Sequence, residues 1–133
     1  MGNIQTINKI SFEDMKFCIL NKNLIISVID KKDEHCLIKG TTTSIDEERI
    51  INNLYQNSNF NEICIIYGYN SNDMNVANKY KQLLEMGFKN VHIYTGGLFE
   101  WLLLQDIYGI KHFETTSYEI NHLKYKPNPS IKK

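Results

Sequence analysis

Two stretches of this chain are apolar at nearly every position. Leu24-Ile25-Ile26-Ser27-Val28-Ile29 and Ile63-Cys64-Ile65-Ile66-Tyr67 are runs of mostly β-branched residues with almost no polar interruption. A strand with one wet face alternates apolar and polar residues. Unbroken apolarity in a short β-branched run means cover on both faces, the situation of a strand inside a parallel sheet. Val91-His92-Ile93-Tyr94 is a third, weaker run in which His92 lies on the opposite side from Val91 and Ile93.

Helical patterns separate these runs. Ser11 followed by Asp14 reads as a capping box opening a short helix with Phe12, Met15, Phe17 and Ile19, ended by Asn21-Lys22-Asn23. A charged loop runs from Asp30 to His35, and Thr41–Thr43 forms a candidate short strand. Ser44 or Asp46 then caps a helix with Ile50, Ile51, Leu54 and Tyr55 at helical spacing. Asp73 caps another, with Met74, Ala77, Tyr80, Leu83, Leu84 and Met86 on its apolar side and Gly87 just past its end. Leu98 to Leu104 forms a last apolar helix after the turn Thr95-Gly96-Gly97. Alternating strands and helices of this kind predict an α/β layer fold. The expected organisation is a flexible terminus over 1–8, one domain over 9–110 and a partly ordered basic tail over 111–133. Its lysines, 124, 126, 132 and 133, surround two prolines.

Composition narrows the function classes. At 133 residues with 15 basic and 15 acidic side chains, the chain suits one domain without the basic stripe of a duplex nucleic-acid binder. No apolar run approaches the ~20 residues of a membrane span. The first nine residues hold no stretch long enough for a secretory signal, so a cytoplasmic location is expected. Cys18, Cys36 and Cys64 are odd in number and scattered, which fits reduced thiols. His35, His92, His112 and His122 show no metal-ligand spacing. No cofactor motif is readable, so neither metal nor cofactor is expected.

Over roughly residues 8 to 108 the chain resembles the rhodanese-like domain family. The resemblance rests on an ordered set: Ile63 to Tyr67, a loop, a helix ending Leu83-Leu84-Glu85-Met86-Gly87-Phe88, Lys89-Asn90-Val91, then Gly96-Gly97-Leu98-Phe99-Glu100-Trp101. Cys36-Leu37-Ile38-Lys39-Gly40-Thr41 matches an earlier family segment more weakly through Ile38 and Gly40. The resemblance implies a three-layer sandwich with a mainly parallel, roughly five-stranded sheet flanked by helices.

The same resemblance exposes losses. The family's nucleophilic cysteine directly follows the strand that matches Ile63–Tyr67, and here that residue is Gly68. The loop reads Gly68-Tyr69-Asn70-Ser71-Asn72-Asp73. The family's aspartate and arginine of the preceding strand fall on Ser27 and Ile29, and Asp73 stands nearest to the place of the anion-binding arginine. The chain's single arginine is Arg49. Sulfur transfer needs a thiolate stabilised by amides at a helix N-terminus. Glycine has no attacking group, and an N-cap aspartate offers its own carboxylate to those amides. The related phosphatases need the same cysteine and arginine. The expectation is a catalytically inactive module that binds a protein partner through the remodelled loop, residues 68–73. The alternative is a sulfurtransferase- or phosphatase-like enzyme using a displaced residue, Cys36 or Cys64, at the same edge. Cys64 reads mainly as a small buried hydrophobe. Trp101 and Phe99 read as core. Leu102-Leu103-Leu104 with Ile107, Tyr108 and Ile110 reads as a packed face or, in part, a partner surface.

The opening Met1-Gly2-Asn3-Ile4-Gln5-Thr6 fits an N-myristoylation pattern at Gly2. With the terminal lysines it predicts weak, reversible association with anionic membranes.

Overall fold

The computed structural model describes residues 7–129 and 131. Its four strands are β1 (Lys9–Ile10), β2 (Leu24–Ser27), β3 (Cys64–Tyr67) and β4 (Val91–Tyr94). Its α-helices are α1 (Phe12–Leu20), α2 (Ser44–Gln56), α3 (Met74–Glu85) and α4 (Gly97–Tyr108). The sheet order is β1-β4-β3-β2, and every pair is parallel. In register, Ile25 stands beside Ile65 and Ile26 beside Ile66.

The unbroken apolar runs behave as their composition demands. Along β3 all four side chains are buried, because the strand faces a core on each side. One core gathers Ile25, Ile65, Tyr67 and Tyr94 against Met15 of α1 and Leu98, Trp101 and Leu102 of α4. The other gathers Ile26, Ile66, Val91 and Ile93 against Ile51 of α2 and Val76, Tyr80 and Leu83 of α3. Helices therefore cover both faces, and three layers result.

The sheet has four strands among the described residues, where roughly five were expected. The candidate fifth, Thr41–Thr43, is reduced to one parallel bridge between Thr42 and Ile26. Its neighbours are committed elsewhere. Thr41 Oγ1 lies 2.5 Å from the Ile38 carbonyl and 2.6 Å from the Tyr67 hydroxyl. The Thr43 side chain caps α2 by accepting from the Asp46 N–H. Thr43 is thus the N-cap, in place of Ser44 or Asp46. Ser11 and Asp14 do form the reciprocal capping box of α1. On α3 the inward residue of the first turn is Val76; Met74 and Ala77 are exposed.

The segment after α4 has no helix or strand, as its loss of periodicity predicts, yet it is folded onto the domain. Phe113 and Tyr125 are buried in the α1/α4 core. Residues 114–117 run antiparallel to 37–39: Lys39 N–H donates to the Glu114 carbonyl and Thr116 N–H to the Leu37 carbonyl. No helix among the described residues is long and apolar enough to cross a membrane. Gly2 and Lys132–Lys133 lie outside the described residues.

Candidate functional site

The loop of residues 68–73 leaves the C-terminal end of β3, a central strand, and enters α3. In open parallel sheets this edge is where ligands bind. Gly68 itself is buried. Its carbonyl accepts from Leu98 N–H (2.9 Å) and the Tyr69 carbonyl from Phe99 N–H (2.8 Å), so two amides of the first turn of α4 are spent on the loop backbone. Gly97 makes this approach feasible. Its φ is +67°, and a Cβ there would lie 2.7 Å from the Gly68 oxygen and 3.0 Å from the Asn70 nitrogen.

Asp73 occupies the centre of the loop. One carboxylate oxygen accepts from Asn75 N–H, capping α3, and the other accepts from Tyr69 N–H, both at 3.0 Å. Two amides at this edge, Tyr69 N–H and Asn75 N–H, are therefore satisfied by the chain's own carboxylate. A side chain at position 68 would meet that carboxylate at once. A Cβ on Gly68 would stand 2.9 Å from Asp73 Cγ and 2.7 Å from Val76 Cγ2, besides a still closer carboxylate oxygen.

The remaining loop residues divide into two groups. Tyr69 and Asn70 are half-buried and turned inward, while Ser71 and Asn72 are exposed. The Tyr69 hydroxyl donates to Asp33 at 2.5 Å and accepts from Asp30 N–H at 3.1 Å. Burial and the bond to Asp33 both push the Tyr69 phenol above its ordinary value. The Tyr69 ring packs on Tyr125 with centroids 5.2 Å apart. Asn70 donates to the Tyr125 carbonyl at 2.9 Å and accepts from Asn72 N–H. Lys124 sits 3.3 Å from Glu119 and 3.8 Å from Asp33, and His35 lies 3.6 Å from Glu119. A C-terminal strap, residues 119–126, is thereby fastened across the loop. Beside it an open cleft of about 380 Å³ is bordered by Asp30, Lys32, Asp33 and Lys126.

Sequence reasoning named the loop but missed Asp33, Glu119, Lys124 and Tyr125. A tyrosine between two lysines in an aperiodic segment carries no signal of burial. Only the three-dimensional path of the strap brings Tyr125 to Tyr69.

The cysteines lie away from the loop's exposed surface. Cys36 and Cys64 have no exposed area. Burial pushes the Cys64 thiol up to about 11, and burial also raises Cys36 and Cys18. Cys36 donates to the Ser117 carbonyl at 3.3 Å. Each shift runs opposite to what an activated thiolate requires. Among the described residues no cluster of three His, Cys, Asp or Glu side chains could hold a metal ion. Trp101 is buried and donates its indole N–H to the Glu114 carbonyl, as a core residue should.

Three comparisons bear on this geometry. The family model described as Rhodanese-like domain matches residues 21–104. Among solved structures, a yeast protein tyrosine phosphatase of the rhodanese family, Ygr203w, is similar at a TM-score of 0.55 and 11% identity, covering 88% of this chain and 96% of that one. The Alr3790 protein from Anabaena sp. is similar at a TM-score of 0.52 and 20% identity, covering 84% of this chain and 82% of that one. At such identities the likeness speaks for the fold. A comparison with curated proteins returns no match.

Proposed function

The chain belongs to the rhodanese-like domain family, and within it we propose a catalytically inactive member that works as a protein-binding or scaffold module. The observation that carries this reading is the Asp73 carboxylate inside the loop, against a glycine where the family's nucleophile stands. The loop holds neither a cysteine nor a cation for an anionic substrate, and its Tyr69 N–H is already bonded to Asp73. What it offers to solvent is Ser71 and Asn72, beside the charged cleft under the strap. The buried thiols Cys36 and Cys64 weigh against a displaced nucleophile.

Two measurements test this. The purified protein should transfer no sulfur from thiosulfate to cyanide and hydrolyse no aryl phosphate. Turnover that disappears in Cys36→Ser or Cys64→Ser would replace the module with an enzyme. A photo-crosslinking residue at Asn72 should capture a discrete partner in cells, whereas one at exposed Asn78 on α3 should not. Equal labelling at both positions would remove the loop as the contact.

We further propose that Gly2 carries an acyl chain that gives weak membrane association. Lys124 is already engaged by Asp33 and Glu119, so the tail's attraction to anionic lipid rests on its other lysines. Intact mass from a eukaryotic host decides this: a mass without the acyl increment, beside a control that is acylated, ends the proposal.

A further inference from the structure

Exposed apolar side chains stand on α1 and around the C-terminal half of α4, away from the loop. Phe17 and Leu20 on α1, Ile107 and Tyr108 on α4, and Ile110 just beyond are each more than half exposed. Phe113 ties the two helices together here. Its ring centroid is 5.6 Å from that of Phe12 and 6.0 Å from that of Tyr108, and Lys16 Nζ lies 4.5 Å above it.

Next to this junction is a groove of about 180 Å³. Its apolar lining is Ile19, Leu20 and Trp101, and its rim is basic: Lys16, Lys39 and Lys111 against one carboxylate, Glu114. Glu114 is already paired with Lys39 at 3.2 Å. Lys16 and Lys111 pair with no carboxylate among the described residues. Trp101 is buried and closes the floor of the groove, its N–H spent on the Glu114 carbonyl.

Size and charge identify the occupant. The volume falls below the ~300–1,000 Å³ usual for a small-molecule site. It suits one large side chain, the anchor of a protein–protein contact. Two ammonium groups without a carboxylate partner among the described residues, Lys16 over the Phe113 ring and Lys111, select for carboxylates on either side of that anchor. A recess one side chain wide favours a single projecting residue over a flat lipid surface. We propose that this groove docks a partner protein through one aromatic or leucine side chain flanked by acidic residues. The groove shares no residue with the loop of residues 68–73, so the two proposals stand or fall separately.

Trp101 is the only tryptophan in the chain and lies buried at the floor of the groove, so any emission change has one source, and the anisotropy of a dye-labelled peptide measures binding beside it. The probe is a short peptide with one central phenylalanine between glutamates, compared with its counterpart bearing lysines. The acidic peptide should shift Trp101 emission saturably, and the basic one should bind at least about tenfold more weakly. Raising salt from ~0.01 M to ~1 M shortens the screening length from ~30 Å to ~3 Å and should erase most of that preference. Lys16→Glu with Lys111→Glu should invert it. Lys111→Glu alone, at an exposed position, should halve the preference or more without touching the fold.

Equal binding of both peptides, or none, overturns the proposal. So does an emission shift caused by phosphatidylserine vesicles but not by the acidic peptide, which would assign the face to lipid. Concentration-dependent self-association abolished by Glu48→Lys would give the groove instead to a second copy, through exposed Ile45 and its neighbouring acids.

Discussion

The C-terminal edge of the sheet and the outer face of α1 and α4 treat their polar and apolar groups in opposite ways. At the sheet edge the loop's carboxylate and much of its backbone are bonded within the chain. Asp73 takes the loop amides, Gly97 lets α4 close on the loop backbone, and Tyr125 covers Tyr69. On the α1/α4 face apolar side chains stand uncovered, and two lysines lack acidic partners. The place where this fold ordinarily does chemistry is thus closed by the chain itself, and the unmet bonding capacity lies on a helix face. Under the proposed function, a family site would be lost by being filled as well as by lacking its reactive residue.

The strongest test removes what both regions share. Trp101 anchors the core beneath the loop and lines the outer groove, so Trp101→Ala should cost about 3–5 kcal/mol in urea unfolding. A loss below ~1 kcal/mol would mean that α4 hardly depends on it, and the two regions would not be coupled through the core.

Gly68→Cys bears on the closed edge alone. The new side chain collides with Asp73 and Val76, so stability should fall by about 1–3 kcal/mol, with no sulfurtransferase activity. The thiol should titrate at or above the free value of ~8.5, because the neighbouring carboxylate disfavours a thiolate. A reactive, low-pKa thiol would show that Asp73 moves aside readily.

Asp73→Asn should be milder. The amide can still cap α3 but cannot serve both Tyr69 N–H and Asn75 N–H as well as the carboxylate does. A loss of about 1 kcal/mol is expected, with faster hydrogen exchange at Tyr69. Unchanged exchange would relegate Asp73 to an ordinary cap.

The smallest effect concerns the strap. The Asn121 N–H chiefly, and Lys124, hold Glu119 below its ordinary value of 4.5. A depressed carboxylate contributes stability above that ordinary value and loses it as pH falls through the lowered one. Below about pH 4.5 the Lys124 and His35 contacts should therefore weaken first. Tyr125 resonances should shift toward free-chain values before the core unfolds, while the outer groove stays unchanged. Strap and core melting together in acid would make the strap part of the main cooperative unit.

The legible and illegible parts of this molecule follow a physical rule. The apolar runs of β2 and β3 and the Ser11–Asp14 box were readable because burial on two faces and capping leave local signatures. Asp73 was readable as the cap of α3 because an acid just ahead of a helical pattern is a local signal. The fifth strand was not, since the choice between pairing and capping at Thr41–Thr43 depends on Tyr67 and Asp46. Nor was the strap, whose contacts join residues more than fifty apart, such as Asn70 and Tyr125. Nothing local separates Tyr125, which is buried, from Tyr118, which is exposed.

The bonding of Asp73 also bears on how such a chain can change over generations. A cysteine introduced at position 68 arrives where a carboxylate already stands. Removal of the carboxylate first strips Tyr69 N–H of its acceptor and α3 of its cap. Each single substitution therefore costs stability before the second could offset it. The two positions form a valley in sequence space, crossed more readily by a paired change than by one mutation at a time.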